Sequence, residues 1–372
     1  MGLVTAIVDA GRLDESLAAG ATLPASWYSD PEILRLEEEK IFARTWQYAG
    51  LLEDVTEPGS FLAATAGHIP VVVVRDEEGA LRAFVNVCRH RGHLVAQGTG
   101  RRSTLQCPYH AWTYGLDGSL RNAPRCDREP GFDSSDLALL PVQVGTFGPL
   151  VLVNPDLDAP PLGETVGGLL DTIAESGLDL GAVRRRERVE WEIHANWKVT
   201  IENYLECYHC PTAHPGFSKV IDVDPDSYLL QAEGRVSSQF GPVRESALAG
   251  NGNAPYQPKG PVRQAQYHFV WPSLTMNIEP GPANISFDTW RAVSPTLTLG
   301  FSDYFFGEEV SEKEIEELVA FSTQVGNEDM SLVESVQRGL ESGMVPQGRL
   351  LPQSETLIQH FQRLVFDALT DA

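Results

Sequence analysis

The chain is poor in positive charge: 28 Lys and Arg stand against 51 Asp and Glu, a formal net charge of −23. That balance argues against nucleic acid and anionic membrane surfaces as partners, because both reward a net positive protein surface. Long apolar runs are missing too, and no stretch of about 18 apolar residues offers a membrane span. The opening residues are apolar to Val8 but have no basic lead and soon meet Asp9, Asp14 and Glu15, so the expectation is a cytoplasmic chain without a signal peptide. Cysteine is scarce. Cys88, Cys107, Cys126, Cys207 and Cys210 are too few, and odd in number, for a disulfide framework in 372 residues. Thiols near histidines therefore read better as metal ligands than as cross-links. What remains, with 42% hydrophobic and 21% charged residues, is the composition of a globular protein long enough for two domains.

Asp30 before Pro31 is a cap signal for an amphipathic helix running to Phe42. The texture then turns to strands. Residues 69–75 and 81–87 are β-branched or apolar runs about the turn Asp76-Glu-Glu-Gly79, a second hairpin surrounds Asp117-Gly118, and 150–153 closes the region before a Pro-rich segment at 155–161. Beyond it the pattern predicts a helix at 164–176, a strand through Val189, Trp191 and Ile193, and a helix over 196–210. Strands follow at 267–271, 275–278 and 299–306. Ser311 and Glu314 form a capping-box signature for a helix interrupted at Gly326 and resumed to about Ser342, and Leu357, Phe361, Leu364, Val365 and Leu369 mark a last helix. The partial Gly-x-Gly at Gly250-Asn-Gly252 lacks the rest of a dinucleotide fingerprint. The chain divides as 1–45, 46–155 and 156–372.

Two clusters carry the chemistry. Cys88-Arg-His90-Arg-Gly92 and Cys107-Pro-Tyr-His110 place two thiols and two imidazoles on predicted hairpin tips, sixteen residues apart. Such a set suits tetrahedral zinc, or an iron-sulfur cluster in which histidines replace two cysteines on one iron. His93 lies outside the matched spacing, and Cys126 has no partner in it. The second cluster runs from Asn196-Trp-Lys to His214. In a regular helix positions 199, 202, 206, 209 and 213 share a face, so Glu202, Glu206 and His209 project together, and Pro211 distorts the helix enough for His214 to converge with His209. The competing readings are a solvated amphipathic helix, and a Cys207-x2-Cys210 redox or zinc pair completed by one of these histidines. Further along, Asp329 shares a helical face with Leu332, Val333 and Val336, where a carboxylate needs a compensating cation; Glu328 and Glu334 are the other carboxylates in that run.

The first spacing, with Arg91-Gly92 after one pair and Trp112 and Tyr114 after the other, strongly resembles the Rieske motif. Asn-Trp-Lys, Glu-Asn-Tyr and Glu206-x2-His209-x4-His214 resemble the catalytic signature of Rieske non-haem iron oxygenases, and the run from Glu328 to Leu340 resembles the iron-ligand helix of their choline, glycine-betaine and carnitine branch. The resemblance implies an α+β fold: an all-β Rieske domain at 46–155, a helix-grip catalytic domain with an antiparallel sheet and long helices at 156–372, and an N-terminal segment, 1–45, packed on the latter. It implies a [2Fe-2S] cluster held by Cys88, Cys107, His90 and His110, and a mononuclear Fe(II) held by His209, His214 and Asp329. Glu206 would link the iron site to a Rieske histidine, His110, of an adjacent subunit, with Asn203 beside it; many ring dioxygenases have Asp where this chain has Glu206. A head-to-tail homotrimer and a separate flavin and iron-sulfur reductase or ferredoxin complete the expectation.

The implied reaction is hydroxylation of a small organic substrate by dioxygen. One substrate reading is a quaternary ammonium or N-methyl compound that loses formaldehyde, caged by aromatics drawn from Tyr204, Tyr267, Phe269, Trp271, Trp290, Tyr304, Phe305 and Phe306. The other is an aromatic ring or aromatic carboxylate anchored by Arg263 or Arg291. Outside the oxygenases stands a non-enzymatic Rieske electron carrier or zinc protein.

Overall fold

The β-branched run Val71 to Val74 has every side chain buried, not every second one, which is the mark of a strand covered on both faces. Val72 and Val74 pack with Phe61, Phe84, Cys88, Cys107 and Tyr114. Val71 and Val73 face the other way, into a core with Val55, Leu62, Val151 and Val153. The strand Ile69–Arg75 lies inside a seven-stranded antiparallel sheet whose order is Gln47–Leu51, Leu150–Asn154, Pro141–Phe147, Leu81–Val85, Ile69–Arg75, Ser60–Ala66, Thr99–Arg101. A three-stranded sheet of Leu105–Gln106, Thr113–Tyr114 and Leu120–Asn122 adds the second predicted hairpin.

This computed structural model describes residues 10–250 and 254–370. The segment read for a signal peptide, to Asp9, and Asn251 and Gly252 of the partial Gly-x-Gly lie outside the described residues. The chain forms two units, Glu38–Glu164 and a second made of the residues up to Glu37 with those from Thr165 onward. Among the described residues no helix is long and apolar enough to cross a membrane.

The second unit is built on another seven-stranded antiparallel sheet, in the order Val183–Ile193, Leu297–Gly307, Asn284–Ser294, Leu274–Ile278, Gln264–Val270, Val236–Pro242, Leu229–Glu233. Its register aligns Gln239 with Tyr267, Tyr267 with Asn277, Asp288 with Ser302 and Trp191 with Gly300, so polar and aromatic side chains share one face. The helices Trp197–Tyr204 and Glu312–Glu341 pack on each other, and the C-terminal helix Thr356–Thr370 buries Leu357, Phe361, Val365 and Leu369. This is the expected α+β helix-grip arrangement.

Four local expectations change. The helix at 164–176 is two short helices, Leu162–Val166 and Leu169–Glu175, parted at Gly167, whose φ of 52° is closed to a continuing helix. The helix expected over 196–210 ends at Tyr204; Glu206 instead accepts the backbone N–H groups of Tyr208 and His209, offering the chain a turn in place of another helical bond. Pro211 then sits in the first turn of a new short helix, Cys210–Ala213, where its missing N–H costs nothing, so it starts a helix rather than bending one. Gly326 does not interrupt Glu312–Glu341, which runs unbroken for 30 residues behind the full Ser311–Glu314 capping box. A Cβ at Gly326 would lie 2.8 Å from the Trp191 ring, so the glycine permits close packing of helix on strand.

Candidate functional site: two metal-binding constellations and a cavity

In the unit Glu38–Glu164 the two Cys-His segments fold into loops with the same hydrogen bonds. Cys88 N–H donates to His93 O at 2.8 Å and Gly92 N–H to Cys88 O at 3.1 Å; Cys107 N–H donates to Trp112 O at 2.8 Å and Ala111 N–H to Cys107 O at 3.0 Å. The fifth residue of each loop is left-handed, Gly92 at φ 76° and Ala111 at φ 57°. The thiols are buried, while both imidazoles are exposed. The His90 and His110 rings lie 4.7 Å apart, His90 stacks on Trp112 at 4.9 Å, and Tyr109 stacks on His110 at 3.8 Å. Tyr114 places its hydroxyl 3.3 Å from Cys88 Sγ and accepts Arg89 N–H at 3.0 Å. Burial, first, and then the neighbouring Cys88 push the Cys107 thiol up, so two adjacent thiolates here call for cationic compensation. Two buried sulfurs and two surface imidazoles converging from matched loops fit a cluster with one iron inside and the other at the surface. His93 turns aside, its Nδ1 against Leu94 O at 2.6 Å, and Cys126 is free.

In the other unit, His209, His214 and Asp329 offer ligand atoms that all lie within 4.8 Å of one another. The two Nε2 atoms are 3.0 Å apart, and Asp329 Oδ1 is 2.9 Å from His214 Nε2 and 3.4 Å from His209 Nε2. Each ring is aimed by a carboxylate on its far nitrogen: His209 Nδ1 by Glu206, and His214 Nδ1 by Glu328 at 2.7 Å. A carboxylate partner requires the proton on Nδ1, which leaves Nε2 with its lone pair toward the centre. Burial opposes charge on His209, but Asp329 and Glu206 together outweigh it and lift the ring to about 9, so a metal binding at Nε2 would displace the proton held there. Burial likewise works against the Asp329 carboxylate, and the two imidazoles overcome it and hold it down at about 2. Two imidazoles and one carboxylate on one side of a point are the donor set of a 2-His-1-carboxylate iron centre.

Asn203, expected beside the site, donates from Nδ2 to Asp329 Oδ1 at 2.7 Å. Glu202 is not part of the cluster. With the helix ended at Tyr204 it does not join Glu206 and His209 on a common face, and it accepts from Tyr28 at 2.6 Å and Gln362 at 2.9 Å. Glu334 is also elsewhere, accepting His194 N–H at 3.0 Å. Glu328, a ligand candidate by sequence, instead supports His214 from outside the triad, a contact made by the tertiary fold. Asp329 keeps Val333 as a buried neighbour, but Leu332 and Val336 are exposed, so the apolar face is narrower than its periodicity suggested. Cys207 and Cys210 form a disulfide, against the expectation that these thiols are better read as ligands than as cross-links, and neither sulfur joins the metal set.

The triad opens onto a cavity of about 170 Å³. Of the proposed aromatic cage, Tyr204, Tyr267, Trp290 and Tyr304 line it. Phe269 and Trp271 pack instead on Phe361, and Phe305 on Phe287. Arg263 and Arg291 are exposed and do not line the cavity, so neither anchors a carboxylate there. The carboxylates of Glu279 and Asp288, absent from the sequence reading, do line it.

Residues 45–144 match the Rieske [2Fe-2S] domain family, and residues 180–371 match the ring hydroxylating alpha subunit catalytic domain. The oxygenase subunit of carnitine monooxygenase from Acinetobacter baumannii is 32% identical over 355 residues, covering 92% of this chain and 94% of the relative. Chloroplastic choline monooxygenase from Atriplex hortensis is 32% identical over 353 residues, covering 91% and 76%. The solved quaternary ammonium Rieske monooxygenase CntA with L-carnitine aligns at a TM-score of 0.79 and 30% identity over 94% of this chain and 96% of that one. A Rhodococcus naphthalene 1,2-dioxygenase, at 19% identity and a TM-score of 0.76, shares the fold. Two matched domains, each with the donor set its iron group requires, make this chain a member of the Rieske non-haem iron oxygenases, an enzyme with a [2Fe-2S] cluster in one domain and a mononuclear iron in the other.

Proposed function

We propose that this oxygenase hydroxylates a methyl or methylene carbon beside the nitrogen of a quaternary ammonium or N-methyl compound, with the iron held by His209, His214 and Asp329 and the cluster by Cys88, His90, Cys107 and His110. The observation that carries the substrate reading is the cavity beside the triad, lined by tyrosines, two tryptophans and buried carboxylates. The named activities of the carnitine and choline relatives support it. When bound, the two iron groups supply the electron transfer and dioxygen activation. The balance is one C–H bond converted to C–O–H, the second oxygen atom released as water, and two electrons and two protons consumed. A hydroxylated N-methyl carbon then parts from nitrogen as formaldehyde, leaving the electron pair on the amine and releasing a proton.

The chain's own groups set the geometry of this reaction. Glu206 and Glu328 keep the histidine rings turned, Asn203 fixes the Asp329 carboxylate, and the aromatic walls hold the substrate and exclude water. The electrons come from a separate flavin and iron-sulfur reductase, directly or through a ferredoxin, in the cytoplasm. The exposed imidazoles of His90 and His110 suit docking of a neighbouring subunit in a head-to-tail homotrimer, with Glu206 linking to His110 across that contact. The domain limits read from sequence, 46–155 and 156–372, belong to the same proposal.

Oxygen uptake and formaldehyde release, measured with a surrogate reductase across choline, carnitine and aromatic acids, test the reading. Turnover of at least one of the ammonium compounds is expected, and turnover of the aromatic acids alone would overturn the substrate class. His209→Ala should keep the Rieske absorption spectrum and lose product; retained turnover would refute the assigned ligands.

A further inference from the structure

Resting on the ammonium reading above, we infer that the cavity selects a monocation without a carboxylate, and that Glu279 is the counter-ion that makes the selection. The cavity is lined by eight aromatic side chains of the kind a trimethylammonium group prefers, among them Tyr204, Tyr267, Trp290 and Tyr304, and it adds the acids Glu279 and Asp288, which are not part of the triad. Among the described residues none of its lining side chains is Lys or Arg. Positions 1–9, 251–253 and 371–372 contain no Lys or Arg either. A zwitterion would bring its cation to this wall and leave its carboxylate among Glu279 and Asp288 with no Lys or Arg to meet it, which is costly. A monocation meets no such penalty.

The two acids are not equivalent. Asp288 is already satisfied by neutral donors, from Asn277 at 2.6 Å, Thr275 at 3.1 Å and Ser286 at 3.3 Å. Among the described residues the Glu279 carboxylate is held only by phenols, Tyr267 at 3.1 Å from both carboxylate oxygens and Tyr256 at 3.3 Å from one. Asn284 pins its backbone on both sides, accepting Glu279 N–H at 3.1 Å and donating to Glu279 O at 2.8 Å. The carboxylate is thus fixed in place at the end of strand Leu274–Ile278, with capacity left for a cation and an aromatic ring beside it. Burial pushes Glu279 up to about 7, the expected condition of an acid whose positive partner has yet to arrive.

The test compares three ligands of one shape on the iron-loaded holoenzyme by calorimetry: choline, glycine betaine and the uncharged isostere 3,3-dimethylbutan-1-ol. Choline should bind at least tenfold tighter than either of the others. Glu279→Gln should remove the preference for choline over the neutral isostere while leaving the isostere's own affinity, the iron content and the Rieske spectrum unchanged. Asp288→Asn serves as the control acid and should retain the preference. Betaine binding as tightly as choline would overturn the inference while leaving the ammonium reading standing, as would an unchanged preference in Glu279→Gln. Failure of all three ligands to bind would overturn the ammonium reading itself, and the inference with it.

Discussion

Glu328 and Asp329, neighbours in the chain, grip opposite nitrogens of one imidazole: Glu328 accepts from His214 Nδ1 at 2.7 Å while Asp329 lies 2.9 Å from Nε2. Only one of the two carboxylates faces the centre, so the other acts by aiming the ring. Glu328→Ala should lower iron affinity by about 10–100-fold, the usual cost of losing such support. Iron retained against a chelator is the measurement, with the Rieske absorption expected to stay unchanged. Unaltered iron retention would remove Glu328 from the site.

The matched loops at Cys88 and Cys107 differ at their left-handed residue. Gly92 has nothing within 4 Å of a built Cβ, so Gly92→Ala meets no clash and bears only the conformational cost, about 1–2 kcal/mol. Ala111 already bears that cost at the equivalent position. Chemical denaturation of the Gly92→Ala holoenzyme should show the loss with the cluster spectrum intact. Loss of the cluster would mean that the loop needs the glycine for more than its φ.

Lys198 and Glu37 form a fully buried ion pair, both side chains at 0% exposure, with Trp197 Nε1 donating to the same carboxylate at 2.8 Å. Removing one charge strands the other. Lys198→Met should cost about 3–5 kcal/mol of stability, and adding Glu37→Gln should recover a large part of it. Denaturation midpoints of the single and double variants decide; a double variant as unstable as the single would show that packing, not charge, is at stake.

Glu202 supplies a pH dependence of opposite sign to that of an ordinary paired carboxylate. Burial drives it up to about 7, against the hydrogen bonds of Tyr28 and Gln362 and the charge of Lys198, while Glu355 adds to the rise. The folded chain therefore keeps a proton that the unfolded chain gives up from about pH 4.5. Stability from this group is present below that value and is lost as pH rises to about 7. Glu202→Gln should raise the melting temperature at pH 8 by roughly 2–4 °C and change it little at pH 5. An equal shift at both pH values would contradict the assignment.

The convergence of the proposed Rieske ligands was legible in the sequence because each pair lies within one loop, and local spacing is all that such a loop needs. The iron site was legible in part. His209 and His214 stood out by spacing and Asp329 by helical phase, yet the regular helix that was to unite Glu202, Glu206 and His209 ends at Tyr204. Periodicity does not register a side chain such as Glu206 capturing the backbone that follows it. Glu279 and Asp288 were missed for a different reason: they become neighbours of the cavity only through the register of strands far apart in sequence. Gly326 read as a break because glycine disfavours helix, whereas contact with Trp191 decided its place.

The unbroken helix Glu312–Glu341 has a consequence for how this chain can vary. Its start is locked by the Ser311–Glu314 box, its middle is seated on Trp191 at Gly326, and Asp329 lies less than one turn beyond that seat. Each residue of an α-helix turns the direction of its side chain by roughly 100°. One residue inserted or deleted between Gly326 and Asp329 would swing the carboxylate out of the triad, whereas exchanges on the outward face leave it untouched. The rod behaves as a ruler: its lettering is free to drift, but its divisions are not.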